Sequence, residues 1–124
     1  MTLPDMIAVG SSRPDWMIVS AAVDRLGLDS TGIRAFSTSQ GDLPPVRLAL
    51  SPQLTVNLFD FDEVLGDVEL RQLSSQADVD RVCGFARAVG VALHRDVVFV
   101  PEGEPTLVGV RFVVAKDTFA VEAG

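Results

Sequence analysis

The sequence predicts an α+β fold with a single layer of mainly antiparallel sheet, of about five or six strands, and two helices packed on one face. Two observations support this class. The strand-like segments stand as a group between two helix-like segments, which favours antiparallel pairing over a parallel sheet. The apolar residues also recur with helical spacing in the helix candidates and alternate in the strand candidates. We expect residues 1–124 to form one domain.

The first helix is predicted over residues 13–26. Ser12 is a good N-cap residue, Asp15 complements the free amides of the first turn, and Gly27 can end the helix in a left-handed conformation. The buried stripe of this helix is predicted to comprise Trp16, Val19, Val23 and Leu26. Residues 1–11 contain only a short apolar run and are predicted to form an edge strand or an N-terminal arm.

Four strand candidates follow, over residues 33–37, 46–50, 54–61 and 67–73, with a turn at 63–66 before the last. The third candidate has a break in its alternation. Leu58 and the apolar residues before it point to one face, whereas Phe59 and Phe61 have the opposite parity. We predict a β-bulge near Leu58 and Phe59, because it would turn Asp60 and Asp62 outward instead of into the core.

The second helix is predicted over residues 76–89. Ser75 and Asp78 form a capping arrangement at its start, and Gly90 is expected to end it. Its buried stripe is predicted to comprise Val79, Val82, Cys83, Ala86 and Val89. Two further strands are expected over residues 97–100 and 107–115.

The composition restricts both partners and chemistry. The net charge of −7 disfavours attraction to nucleic acid or to anionic lipid and favours a basic protein partner. A single Cys allows no intrachain disulfide, and no apolar run reaches the length of a membrane span, so we expect a cytoplasmic protein. With one His, one Cys, one Lys and no Tyr, the chain has few residues for catalysis.

The segment from Phe59 to Glu69 is the strongest candidate for a functional surface. It holds five of the 17 acidic residues, and no Lys or Arg lies between Arg47 and Arg71 to neutralise them. Carboxylates without partners are costly to bury, so the segment is predicted to be an exposed hairpin. Its candidate partner-binding residues are Phe59, Asp60, Phe61, Asp62, Glu63, Asp67 and Glu69.

Part of this segment resembles the first motif of the haloacid dehalogenase phosphatases, an apolar strand followed by Asp-x-Asp. Here it reads Val-Asn-Leu-Phe-Asp-Phe-Asp-Glu-Val-Leu over residues 56–65. The resemblance implies that Asp60 is the nucleophile, Asp62 the general acid/base, and that magnesium neutralises the phosphate. Glu63 replaces the Gly that usually follows, and the little chain that remains after Lys116 leaves no room for the later acidic ligands.

The other motifs predict neither a metal site nor a cofactor. A calcium loop starting at Asp60 would need its closing Glu at Arg71. His94 stands without a second His or Cys nearby, so it cannot form a zinc site unaided. Cys83 is predicted to be a small core residue.

These observations favour a non-catalytic, acidic protein-binding module, either monomeric or homodimeric. In size and charge it is similar to immunity proteins, which inhibit a basic toxin or enzyme by covering its active site. A dimeric secretion-type chaperone is one alternative, since such chaperones also combine an acidic surface with helices and strands. A carboxylate-dependent phosphatase or hydrolase using Asp60 and Asp62 is another.

Overall fold

The computed structural model contains an antiparallel sheet with helices packed against one face. The structure describes residues 4–41, 43–52, 54–60, 62–68, 75–101 and 109–122. Within them the strands are β1 (Pro4–Ala8), β2 (Val46–Ser51), β3 (Leu54–Asp60), β4 (Val64–Val68), β5 (Val97–Pro101), β6 (Gly109–Val113) and β7 (Thr118–Glu122). The α-helices are α1 (Asp15–Arg25), α2 (Thr31–Thr38) and α3 (Gln76–Leu93), and a 3₁₀ turn spans Val114–Lys116. The predicted α+β class is confirmed, but the predicted numbers of strands and helices are too low.

The strand order is β2-β3-β4-β1-β5-β6-β7, and every neighbouring pair is antiparallel. β1 therefore lies at the centre of the sheet, not at an edge as expected. Its inward side chains, Met6 and Ala8, are both buried. The apolar run in the sequence of residues 1–11 is short because a strand of five residues contributes only two or three side chains to a core face.

The segment predicted as a strand over residues 33–37 is the helix α2. Ile33 and Phe36 lie three residues apart and are both fully buried, and a helix brings residues at that spacing to one face. The ring of Phe36 packs edge-on against Trp16 of α1, with ring centroids 4.9 Å apart. Trp16 is thus a core residue, as predicted.

The start of α1 differs from expectation, whereas the residue that follows its end behaves as expected. Ser12 does not cap the helix with its side chain; instead its backbone N–H donates to the carboxylate of Asp15 at 2.9 Å. Gly27 adopts a φ of +77°, as predicted for the residue after the helix.

None of the described helices is long and apolar enough to cross a membrane.

Helix α3 begins as predicted, with Ser75 Oγ accepting a hydrogen bond from the backbone N–H of Asp78 at 3.3 Å. It continues past Gly90 and ends at Leu93, and the next residue, His94, has a left-handed φ of 54°. Val79 is 40% exposed, so its predicted burial is wrong, while Phe85 takes a place on the buried stripe.

The bulge predicted near Leu58 and Phe59 is absent. The register of β3 with β4 runs without a shift from the Val56–Val68 pair to the Asp60–Val64 pair. Asp60 therefore points to the same face as Leu58, into the core. β4 already begins at Val64, so residues 64–66 of the turn predicted at 63–66 belong to a strand.

The strand predicted over residues 107–115 is present as the shorter β6, but the strand that follows it was not predicted. β6 ends at Val113, a 3₁₀ turn follows, and Asp117 adopts a φ of 49°. The chain then reverses into β7, which pairs with β6. β7 has only five residues, so its strand pattern in the sequence is short.

Two glycines of α3 provide a matched test of core packing. A Cβ at Gly90 would lie 2.6 and 2.8 Å from ring carbons of Phe112 and 2.9 Å from the carbonyl oxygen of Arg95. Gly90→Ala is expected to lower the free energy of unfolding by about 1–3 kcal/mol through overpacking. A Cβ at Gly84 would meet no heavy atom within 4 Å. Gly84→Ala should stabilise by up to about 1 kcal/mol through helix propensity.

Chemical denaturation of both variants measures this difference. Equal effects at the two positions would show that α3 does not pack on β6 as described.

Candidate functional site

The structure separates the predicted surface residues onto different sides of the molecule. Phe59 and Asp67 lie on the sheet face away from the helices, and both are half-buried. The side chain of Asp62 is 98% exposed, and Glu63 is half-buried. Phe61 and Glu69 lie outside the described residues. The remaining residue of the predicted surface, Asp60, is buried.

Asp60 is a core residue, and the prediction that it faces solvent is wrong. It is only 2% exposed. Its Oδ2 accepts a hydrogen bond from the backbone N–H of Leu43 at 2.8 Å, and its Oδ1 lies 3.5 Å from Nη2 of Arg13. A buried carboxylate requires such partners. Here they come from segments far away along the chain.

Arg13 connects this carboxylate to the rest of the fold. Its Nη1 donates to the carbonyl oxygens of Ser39 at 2.8 Å and Gly41 at 3.0 Å. Its Nη2 also lies 3.5 Å from the exposed carboxylate of Asp62. One guanidinium thus joins the loop before α1, the segment after α2 and the end of β3. We assign Asp60 a structural role and remove it from the binding surface.

This geometry bears directly on the resemblance to the phosphatase motif. The side chain of Asp60 has no exposed area, so a phosphate cannot reach it in this conformation. Asp60 and Asp62 share a guanidinium, which occupies the position that a cation would need to bridge them. Among the described residues, no cluster of three or more His, Cys, Asp or Glu could hold a metal ion.

None of the described helices covers the second face of the sheet, and this face carries a continuous row of apolar side chains. Phe59 is directly opposite Leu65, Leu65 opposite Ile7, and Ile7 opposite Val98. Residues directly opposite each other on neighbouring strands point to the same face. All four are half-buried, and no described strand residue of this face is fully buried. We call these four residues the apolar row and this side of the sheet the open face.

Acidic side chains border the apolar row on the open face. One step along the strands, Asp67 is directly opposite Asp5, which places two like charges side by side. The amide of Asn57 donates to Asp67 at 2.9 Å. At the other border, Glu63 precedes β4. Arg47 lies directly opposite Asn57, in the row that holds Asp67 and Asp5. The open face therefore combines an apolar centre with a charged border that contains these acidic residues and Arg47.

An ion pair between Arg111 and Asp96 lies at one end of this border. Arg111 is opposite Val98 and donates to Asp96 at 3.0 Å. A hydrogen bond from the backbone N–H of Val114, and then the one from Arg111, hold the pKa of Asp96 below its usual range. The folded-state pKa is depressed, so the stability from this pair is present at neutral pH and is lost as the pH falls through the lowered value.

Ile7, Leu65 and Val98 were not among the residues singled out from the sequence. The alternation of Asp5 and Ile7 with Met6 and Ala8 was visible in the chain, but it does not identify the strands that lie beside β1. Only the pairing of β1 with β4 and β5 brings these apolar side chains into one row.

Comparison of the chain with protein-family models, with curated proteins and with solved structures finds no match.

The two carboxylates near Arg13 provide a test of this assignment. Asp60→Asn is expected to lower the free energy of unfolding by about 2–3 kcal/mol, because it removes, at a buried position, the negative charge that pairs with Arg13. Asp62→Asn removes a charge at the same distance from Arg13 but on an exposed side chain, and should cost less than about 1 kcal/mol. Urea denaturation at neutral pH measures both. Similar costs would contradict the burial of Asp60.

Cys83 is half-buried rather than fully buried as predicted. Burial, and then the nearby carboxylate of Asp80, raise the pKa of its thiol. Less thiolate is present at a given pH, so the folded protein should react with a thiol reagent more slowly than free cysteine near pH 8. Asp80→Asn should speed the reaction by removing one cause of the shift. Labelling as fast as that of free cysteine would contradict this.

Proposed function

We propose that this protein is a non-catalytic protein-binding module whose open face docks on a basic partner. The observation that carries the proposal is the apolar row, Phe59, Leu65, Ile7 and Val98, on a sheet face that none of the described helices covers. Apolar side chains in a continuous row with a polar border are typical of protein interaction sites.

The charge of the chain specifies the kind of partner. The net charge is −7, and the residues bordering the row include Asp5, Asp67 and Glu63. The carboxylates of Asp67 and Glu63 attract a cationic group placed beside the row. A basic partner would thus gain from both the apolar contact and the border.

An immunity-type inhibitor is the form of this function that we favour. Such a protein needs rapid association with a basic enzyme, which an acidic surface promotes by electrostatic steering. It needs no catalytic group of its own. The relevant surface is not the hairpin alone but the whole open face, to which Phe59 and Asp67 contribute.

Site-specific photo-cross-linking in cells that express the protein tests the docking surface. A photoreactive amino acid is placed at Val98 on the open face, and a control is placed at Ala21, an exposed position of α1. We expect a cross-link from Val98 to a protein with an excess of Lys and Arg, and none to that protein from Ala21. Attachment from Ala21 alone, or to an acidic protein, would contradict the proposal. A stable homodimer in light scattering that cross-links through α3 would favour the chaperone alternative.

Charge variants of the purified pair test the electrostatic part. Glu63→Gln combined with Asp67→Asn should reduce the association rate at low salt by about threefold to tenfold and flatten its salt dependence. The matched control, Asp29→Asn with Asp80→Asn, removes the same charge from the helix side of the molecule and should change the rate less. Stopped-flow measurements over a range of salt concentrations distinguish the two. Equal rates for both double variants would show that the open face does not steer association.

A further inference from the structure

We infer that two copies of this chain associate through β7, which pairs with its counterpart in antiparallel orientation and joins the two sheets into one. Self-association of this kind goes beyond the proposed function and does not depend on the binding of a basic partner. Three features of β7 lead to it: a free backbone edge, the lack of protection against strand pairing, and a register that satisfies two-fold symmetry.

β7 is the last strand of the sheet and has one free edge. Among the described strands it pairs only with β6, and the ladder between them has no register shift. In such an edge strand, every second residue points its N–H and C=O away from the sheet. The turn before β7 is fixed to α3, because Arg87 donates to both carboxylate oxygens of Asp117, at 2.6 and 2.9 Å. β7 therefore presents a row of backbone donors and acceptors that is in place before a second strand arrives.

The two edges of the sheet differ in their protection against pairing. At the other edge, β2 has a register shift between Ala49 and Ser51, carries the exposed side chain of Arg47 and follows two consecutive prolines. Bulges, charged side chains and prolines are features that prevent edge strands from pairing with other chains. Residues 118–121 of β7 include no charged residue and no proline. The edge at β7 is thus suited to pairing, whereas the edge at β2 is protected.

An exposed valine gives this edge an apolar contact as well. Val121 is 74% exposed, the largest value among the exposed large apolar residues of the described chain. It lies on the same face as Phe119, two residues earlier in the strand. Phe119 is half-buried and its ring packs against Phe112, with ring centroids 5.1 Å apart. A strand added beside β7 would cover Val121 and extend this group of apolar side chains.

The length of β7 selects one register for a symmetric pair. In two antiparallel strands related by a two-fold axis, residue i lies opposite residue j and j opposite i. Only the register centred on Ala120 pairs all five residues of Thr118–Glu122. That register places Phe119 of each copy opposite Val121 of the other, so both exposed valines are covered. It also brings the two small Ala120 side chains together at the axis.

A second copy is the occupant that this symmetry favours. β7 itself supplies an apolar residue opposite both Phe119 and Val121, on the correct face and at the correct spacing. Pairing of β7 with β2 of another copy would instead produce an open-ended chain of molecules, and the protection of β2 opposes it. In the symmetric pair the helices of both copies lie on one side of the joined sheet and both open faces lie on the other.

The size and charge of the contact predict a weak dimer. The register centred on Ala120 forms about four to six backbone hydrogen bonds between the copies. Five paired residues per copy are far fewer than the roughly 20–30 residues a side of a standard interface. The net charge of −7 on each copy opposes association, and salt screens that repulsion. The dimer should therefore form at high protein concentration and become more stable as salt is added.

Sedimentation equilibrium of the full chain tests the edge. From about 10 µM to about 1 mM protein, the average mass should rise from that of the monomer toward that of the dimer. Val121→Lys places a charge opposite Phe119 of the other copy and should weaken self-association at least about tenfold. Val91→Lys is the matched control, because Val91 is 42% exposed on α3 and the same charge is added. It should change self-association less than about twofold.

Two results would overturn the inference. One is a monomer mass at every concentration, which would exclude a second copy as the occupant of the edge. The other is a loss of self-association in Val91→Lys as large as in Val121→Lys, or larger, which would place the contact on α3. Thermal unfolding verifies that both variants fold.

Disulfide cross-linking tests the register independently. In a Cys83→Ala background, Ala120→Cys places two thiols directly opposite each other, within reach of a disulfide. Thr118→Cys is the control, since Thr118 is also exposed and on the same face of β7, but its two thiols would lie about 13 Å apart along the strands. Under mild oxidation, Ala120→Cys should form the linked dimer at least about tenfold faster. Equal rates, or a faster reaction of Thr118→Cys, would show that the strands do not pair in this register and would overturn the inference.

Discussion

The contact between Arg13 and Asp60 is the interaction on which the open face depends. Side chains alternate between the two faces of a strand, so Phe59 can point outward only if Asp60 points inward. An inward carboxylate is tolerable only with compensating partners, and Arg13 and the backbone N–H of Leu43 provide them. A guanidinium placed before α1 thus helps determine which side chains β3 presents to solvent. Ser11 reinforces the same junction, because its hydroxyl accepts a hydrogen bond from the backbone N–H of Val64 at 2.8 Å.

The sequence was sufficient for elements whose signals are local. The start of α3 at Ser75, the end of α1 at Gly27 and the strand beginning at Val46 follow from caps, a permissive glycine and alternation, and the structure has each of them. It was insufficient where the deciding partner is distant. Nothing near Asp60 in sequence neutralises it, which is the reason for the bulge prediction; the neutralising Arg13 lies 47 positions earlier in the chain. The prediction failed at the short α2 for a different reason. Over the five residues 33–37, a helical and an alternating pattern share too many positions to be distinguished.

For the candidate surface, the structure separates side chains that the sequence places in one segment. An acidic segment read along the chain resembles a single patch, yet folding distributes its carboxylates among a core contact, an exposed turn and a sheet face. The apolar row could not be found in this way, since its members come from positions 7, 59, 65 and 98. Contact across strands is a property of register, and register between distant strands is set by the whole core rather than by either strand alone.

The central place of β1 has a consequence for how the sheet is assembled. β2, β3 and β4 form one group of consecutive antiparallel strands, β5, β6 and β7 form another, and β1 alone joins them. Each group can form from contacts that are short in sequence, whereas β1 must pair with residues about 60 and 90 positions further along the chain, which makes its docking the step with the greatest loop-closure entropy. Until that strand is inserted, β4 and β5 both present unpaired backbone groups. An added strand of suitable sequence could pair with these edges of β4 and β5 in place of β1. The integrity of the sheet therefore depends on the docking of β1.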